Sequence, residues 1–172
     1  MNNSGIKNGL FFGAIAVGLY LIVYLINSRL LFSAGFGPII SIVIPVIFMV
    51  IAARTTRQNQ GGIMTFGESL SCTFLTYVIG TFIYAIFSFL MSNIVDPSLL
   101  EIGKEVQIEA IDKVSGMLSM SEDQLDMMKE AVEEGANSGI GTILMGWAFS
   151  LIIPGFIIAA IISAIMKKNA TV

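Results

Sequence analysis

The sequence predicts an all-α, polytopic membrane protein with four transmembrane helices and a short extramembrane helical pair between helices 3 and 4. Its 172 residues are 55% hydrophobic and only 12% charged, whereas ordinary soluble domains carry about a quarter charged residues. Four apolar runs each approach the roughly 20 residues that cross about 30 Å of hydrocarbon. The predicted helices are 8–28, 37–54, 65–95 and 139–167, which leaves one membrane domain, 1–172, with an acidic helical loop at 96–138.

The uneven distribution of charge predicts the topology. Segment 96–138 holds eleven acidic residues and three lysines, a net charge of −8, while the rest of the chain carries +5. If four helices alternate, every basic residue outside this segment except Arg29 lies on one side of the membrane. The positive-inside rule makes that side cytoplasmic. We therefore expect a multi-pass membrane protein with both termini in the cytoplasm and the acidic loop outside, which in a bacterium would be the periplasm.

The first apolar run is predicted to remain in the protein as a helix. It is longer than the ~7–15-residue core of a secretory signal and has no A-x-A cleavage site. Small and aromatic residues form one seam along it, with a double GxxxG at its start: Gly5, Gly9, Gly13, Ala16, Tyr20 and Tyr24. Small residues let a second backbone approach closely. This pattern favours packing within the bundle, and a dimer contact is the alternative.

Two prolines are predicted to kink the second and fourth helices. Pro45 and Pro154 lie inside apolar runs, where a missing N–H disrupts a helical turn. Each follows a serine by four residues, Ser41 and Ser150. The shared pattern is typical of repeated hairpins with broken helices, as in some transporters. Chance recurrence in apolar helices explains five residues equally well.

The third helix has one polar face and one apolar face. We predict that the polar face packs against other helices of the bundle. It comprises Ser69, Thr73, Thr76, Gly80, Tyr84 and Ser88. The opposite face, with Leu75, Ile79, Phe82, Ile86 and Leu90, is predicted to face lipid. At its start, Thr65 and Glu68 have the T-x-x-E spacing of a capping box. A proton or cation site at Glu68 is the alternative.

The chain resembles a known family in one stretch of sequence. That stretch is Gly61-Gly62-Ile-Met-Thr-Phe66-Gly67-Glu68, followed by a long apolar helix and then by Asp96-Pro97. The family is the set of small four-helix bacterial membrane proteins, frequent in Bacteroidota, grouped as domain of unknown function 4199. The likeness extends over nearly the whole chain. It implies an inner-membrane protein of this type, and it transfers no catalytic residues because the family has no established activity.

The acidic loop is predicted to fold as two amphipathic helices. Leu99, Ile102 and Val106 share a face of the first. In the second, Ser121 and Gln124 have capping-box spacing, and an apolar face is formed by Leu125, Met128 and Val132. These apolar faces need a partner, which is each other, the membrane surface or another protein. We predict docking of a partner at the second face.

The composition narrows the classes of function. With no histidine and a single cysteine, Cys72, the chain lacks the commonest metal ligands, and we expect no enzyme activity, no metal and no cofactor. The favoured role is a structural or accessory subunit that binds a membrane-protein partner or a second copy of itself. A small carrier or channel for a neutral solute is the alternative. The bilayer is the other expected partner, and no nucleic acid is expected.

The topology is tested by paired reporter fusions. A reporter after Lys168 and a reporter within 119–122 should give opposite compartment signals, because the two sites flank the fourth predicted helix. The measurement is an activity assay for reporters that work in only one compartment. The same signal from both fusions would contradict the four-helix topology.

Overall fold

The predicted all-α fold is confirmed. The computed structural model describes residues 3–33, 35–118, 121–136 and 140–167, and this part of the chain contains helices and turns but no strand. Three of its helices are long and apolar enough to cross a membrane. They contribute most of the residues of two apolar clusters, one near each end of the bundle.

These three helices form the first half of the chain. α1 is Asn3–Ile26, and a 3₁₀ turn at Ser28–Phe32 leads to α2, Phe36–Asn59. α3 is Phe66–Val95. α2 runs five residues past its predicted end at residue 54, so most of the polar segment expected to be a turn is helical instead. Water at the membrane surface can solvate polar side chains, so the helix need not end where the apolar residues do.

Two further helices follow α3 and form the acidic loop. α4 is Ser98–Leu118 and α5 is Glu122–Ala136. They pack against each other, and α4 also contacts the 3₁₀ turn and the end of α3. In the first turn of α4, Leu99 is fully buried in the apolar cluster at this end of the bundle. The two helices, which we call the acidic hairpin, are therefore attached to the bundle through α4.

The fourth predicted transmembrane helix is not confirmed. α6, Ile140–Ser150, and α7, Phe156–Met166, have 11 residues each and are joined by a π-helical turn at Leu151–Gly155. Each one alone rises only about 16 Å. Pro154 lies inside the π turn and cannot donate a backbone hydrogen bond, which explains why the regular helix is interrupted.

α1 and α3 come into very close contact along the glycine seam. A Cβ atom built on Gly9 would lie 2.8 Å from Cβ of Ile79, and one on Gly5 would lie 2.9 Å from the carbonyl oxygen of Cys72. The seam therefore packs within the chain. Because α1 comes so close, Ile79 and Leu75 lie against its glycines, although the sequence predicted that they face lipid.

The rest of the seam continues this packing toward the acidic hairpin. Gly13 faces Ile83, and a Cβ atom on Gly80 would fall on the ring of Phe12. Ala16 is fully buried. Tyr20 packs edge-on against Tyr84, with ring centroids 6.0 Å apart. Small residues thus bring the two backbones together at one end, and aromatic rings fill the wider space at the other.

Gly9→Ala should destabilise the protein, because the added methyl group would overlap Ile79 and must push the two helices apart. Overpacking of this kind costs about 1–3 kcal/mol. The matched control is Gly18→Ala in the same helix, where an added Cβ meets nothing within 4 Å. The measurement is unfolding of the purified protein by titration with a denaturing detergent. Equal effects of the two substitutions would contradict the close α1–α3 contact.

Candidate functional site

Polar side chains of α3 form hydrogen bonds to three different helices. Thr76 Oγ1 donates to the carbonyl oxygen of Gly5 in α1 at 3.2 Å, Thr56 Oγ1 of α2 lies 3.0 Å from Cys72 Sγ, and Thr73 Oγ1 lies 3.2 Å from Ser163 Oγ of α7. All these side chains are buried. Ser69 is fully buried as well, and its hydroxyl has no hydrogen-bond partner among the described residues. The paired groups hold the helices together in apolar surroundings.

Toward the acidic hairpin, the polar face of α3 borders a cavity of about 340 Å³ between α1, α2, α3 and α6. Seven of the side chains that line it carry a hydroxyl or an indole N–H: Ser41, Tyr77, Thr81, Tyr84, Ser88, Trp147 and Ser150. No charged residue lines it. The arrangement is typical of a site for an uncharged molecule.

Two π-helical turns border this cavity. One is Ile39–Val43 in α2, directly before the helical segment that contains Pro45, and the other is Leu151–Gly155, which contains Pro154. Each proline lacks the N–H that a regular helix would donate to the carbonyl of the serine four residues earlier. In the second turn, Tyr77 Oη donates to the Ser150 carbonyl oxygen at 3.4 Å. The two Ser-to-Pro segments predicted as kinks thus meet at one site.

Tyr77, Thr81 and Trp147 were not identified as site residues from the sequence. Trp147 Nε1 donates to Thr81 Oγ1 at 3.0 Å, and Thr81 Oγ1 donates to the Tyr77 carbonyl oxygen at 2.7 Å. A signal was present, because Tyr77 and Thr81 follow Thr73, a residue of the recognised polar face, at intervals of four residues. The polar face of α3 is therefore two rows wide.

The capping box that the sequence predicts at the start of α3 is present. Glu68 accepts a hydrogen bond from the Thr65 backbone N–H at 2.8 Å, and Thr65 Oγ1 accepts one from the Glu68 N–H at 3.3 Å. Gln60 also donates to the Glu68 carboxylate. Glu68 is exposed. Its carboxylate is occupied by these capping contacts at the end of the helix, which favours the structural interpretation over an ion site.

The other positions that match the family pattern surround this cap. Gly61 and Gly62 have positive φ angles of 73° and 90°, a backbone conformation that L side chains rarely adopt. They form the turn between α2 and α3. Phe66 is 39% exposed, and Gly67 has open space around it. The pattern therefore marks a turn and a helix start at the membrane surface.

Asp96 and Pro97 form the turn from α3 into the acidic hairpin. Asp96 Oδ1 accepts from the backbone N–H and hydroxyl of Ser98, and Oδ2 accepts from Tyr24 Oη of α1 at 2.9 Å. The Ser98 hydroxyl, followed by the Tyr24 hydroxyl, lowers the pKa of the Asp96 carboxyl. Pro97 is exposed at the start of α4. Asp96 thus caps α4 and ties it to α1.

Arg29 connects the acidic hairpin to the 3₁₀ turn between α1 and α2, in which it lies. Its guanidinium donates to Glu105 Oε2 at 2.8 Å and to Glu109 Oε1 at 2.6 Å, one turn apart on α4. The two carboxylates, Glu109 first, raise the pKa of Arg29. Nearby, Gly103 allows α4 to lie against the ring of Phe32. Arg29 was the only short-loop basic residue that did not fit the predicted topology, and these acids account for its position.

The predicted docking residues of α5 are not equally accessible. Lys129 forms a 2.8 Å salt bridge with Asp112 of α4, so this side of α5 faces α4. Leu125 and Val132 lie one helical turn to either side of Lys129 and are half-buried. Met128 is 40% exposed and its neighbour Met127 is 70% exposed. The two methionines form the exposed apolar surface of α5.

No cluster of three or more acidic, cysteine or histidine side chains that could hold a metal ion occurs in the described ranges. The long apolar helices, the hydroxyl contacts between them and the uncharged cavity define a helical membrane protein of the bundle type. The chain belongs to the family described as "Protein of unknown function (DUF4199)", whose model matches residues 7–168. No curated protein and no solved structure matches the chain.

Thr65→Ala should destabilise α3 by about 1 kcal/mol, because it removes the side-chain cap. Glu68→Gln should have little effect, since a glutamine side chain can make the same backbone contact. The measurements are unfolding of the purified variants and complementation of a gene deletion. If Glu68→Gln abolishes function in a protein that still folds normally, the carboxylate charge itself is used, and the ion-site alternative is favoured.

Proposed function

We propose that this protein is an accessory subunit of the bacterial inner membrane that docks a partner protein through its acidic hairpin and catalyses no reaction itself. The observation that carries the proposal is the way the hairpin is held. Leu99 is buried in the bundle, Arg29 binds two glutamates of α4, and Asp96 bonds to α1. A structure fixed at three points and exposed on its outer side is suited to binding another protein.

We also propose that the chain crosses the membrane four times, with both termini in the cytoplasm. The helical run 140–166 would reach about 40 Å at 1.5 Å per residue, which is enough to cross the hydrocarbon. The contact of Thr73 with Ser163 supports this, because it places α7 beside a candidate membrane span. The basic residues near the turn between α2 and α3, and those after α7, support the orientation.

The docking surface would combine the two exposed methionines with the acidic residues around them. Met127 and Met128 supply flexible apolar contacts, which suit an adaptable interface. Segment 96–138 has a net charge of −8. The partner expected from this chemistry is a membrane-anchored protein with a basic surface next to an apolar patch. Leu125 and Val132 would support the surface from the side that faces α4.

The docking proposal is tested by changing the two methionines together. Met127→Ser with Met128→Ser should leave insertion and folding intact, because both side chains are well exposed, but should release the protein that co-purifies in mild detergent. The matched control replaces both by Leu, which keeps the apolar surface and should keep the partner. The measurement is stoichiometry of the purified complex by mass spectrometry.

Two further results would decide between this role and its alternatives. If the Ser variant retains the same stoichiometric partner, the exposed methionines are not the docking surface. If a short Gly/Ser linker in place of 98–136 preserves both the partner and the cellular phenotype, the whole docking proposal fails. A complex that contains only this chain would identify a homo-oligomer as the assembled form.

A carrier or channel for a neutral solute is the second candidate, and the uncharged cavity at two π turns favours it. Broken helices beside a binding cavity are a recurring feature of transporters. π turns inside helices also occur frequently at functional sites. The test is flux of small neutral solutes into liposomes that contain the purified protein. A lone protein that passes such a solute would favour the carrier over the accessory subunit.

A further inference from the structure

We infer that the cavity between the two π turns, which we call the π-turn cavity, binds a small uncharged molecule with an apolar body and one hydrogen-bonding group, of the alcohol or amide class. The inference goes beyond docking by the acidic hairpin. It also names the class of solute that the proposed carrier would take, and to that extent it rests on the carrier proposal. Binding itself requires neither flux nor a partner protein.

The lining of the cavity determines the class of ligand. The lining contains no charged residue and includes the aromatic rings of Tyr77, Tyr84 and Trp147. An ion or a charged metabolite would lose its hydration here without gaining an opposite charge, which is strongly unfavourable. An apolar body would instead pack against the rings. The volume of about 340 Å³ is at the small end of the range for ligand sites.

The cavity offers a hydrogen-bonding group to a ligand. Pro154 removes the regular helical donor of the Ser150 carbonyl, and in the π turn this carbonyl accepts instead from the residue five positions later. Tyr77 Oη donates to the same carbonyl, which leaves it no lone pair for a ligand. The Tyr84 hydroxyl lines the cavity and can donate or accept. An alcohol or amide group on the ligand can pair with it.

A simple packing defect does not explain these features together. The space is a partly open cavity of about 340 Å³, which is large enough for a small molecule. It also coincides with two breaks in helix geometry that bring matching Ser-to-Pro segments to its border. Paired helix breaks around a shaped, uncharged space are expected of a site, because each break costs regular backbone hydrogen bonds.

Trp147 provides a direct probe, because it is the only tryptophan of the chain and it lines the cavity. The experiment titrates the purified full-length protein, in lipid nanodiscs, with 2,2,2-tribromoethanol, a neutral alcohol whose bromine atoms quench tryptophan fluorescence on contact. Binding in the cavity should give quenching that saturates. Alcohol dissolved in the lipid would instead give quenching that rises linearly with concentration.

Two variants and one control decide the origin of the quenching. Ala85→Leu places a larger side chain in the cavity and should abolish the saturable part. Ala164→Leu makes the same change at an exposed position of α7, away from the cavity, and should leave it unchanged. Tyr84→Phe keeps the shape but removes one hydroxyl, and should weaken binding about 3- to 10-fold, as expected for one neutral hydrogen bond.

Linear quenching in the unmodified protein overturns the inference, and so does saturable quenching that Ala85→Leu and Tyr84→Phe both leave unchanged. Should Ala85→Leu not fold, Tyr84→Phe alone decides, because it adds no volume. Saturable binding without flux in liposomes would support the binding site and contradict the carrier function. Failure of the site would leave the docking proposal unaffected, because neither variant changes the acidic hairpin.

Discussion

The structure depends on the hydrogen bonds that α3 makes to its neighbours. In lipid, the hydrophobic effect does not drive helices together, so close packing and polar contacts must do so. Thr76, Cys72 and Thr73 connect α3 to α1, α2 and α7, while Thr81 receives a bond from Trp147 of α6. α3 is thus the helix against which the others are positioned, and its polar face also determines where the cavity forms.

Features that depend on local sequence spacing could be predicted. The helices, the glycine seam and the Thr65–Glu68 cap follow from periodicity over a few residues. The residues that each helix face contacts could not be predicted, because the contacting groups are far apart in the chain. Arg29 and Glu109, for example, are separated by 80 residues. The pattern of residues around α3 likewise could not show that α1 covers Ile79. Residue pattern identified the polar groups, and only tertiary packing paired them.

The hairpin and the cavity are linked through the same few residues. Tyr20 and Tyr84 pack against each other next to the cavity, and Tyr24, one turn further along α1, binds Asp96 at the base of the hairpin. A shift of α1 relative to α3 would therefore move both regions. The close glycine contacts oppose such a shift, because steric overlap rises steeply with small displacements. The bundle is built to keep the hairpin and the cavity in fixed relation.

The contact of Arg29 with Glu105 and Glu109 also has a consequence for biogenesis. A ribosome makes Arg29 about 76 residues before the first of its two partners, which at 5–20 residues per second is a delay of about 4–15 s. In the proposed orientation, the first helical hairpin must therefore insert with this guanidinium unpaired on the outer side. The nascent topology is then weakly determined at that turn until α4 arrives, and synthesis of the later segment completes the placement of the earlier one.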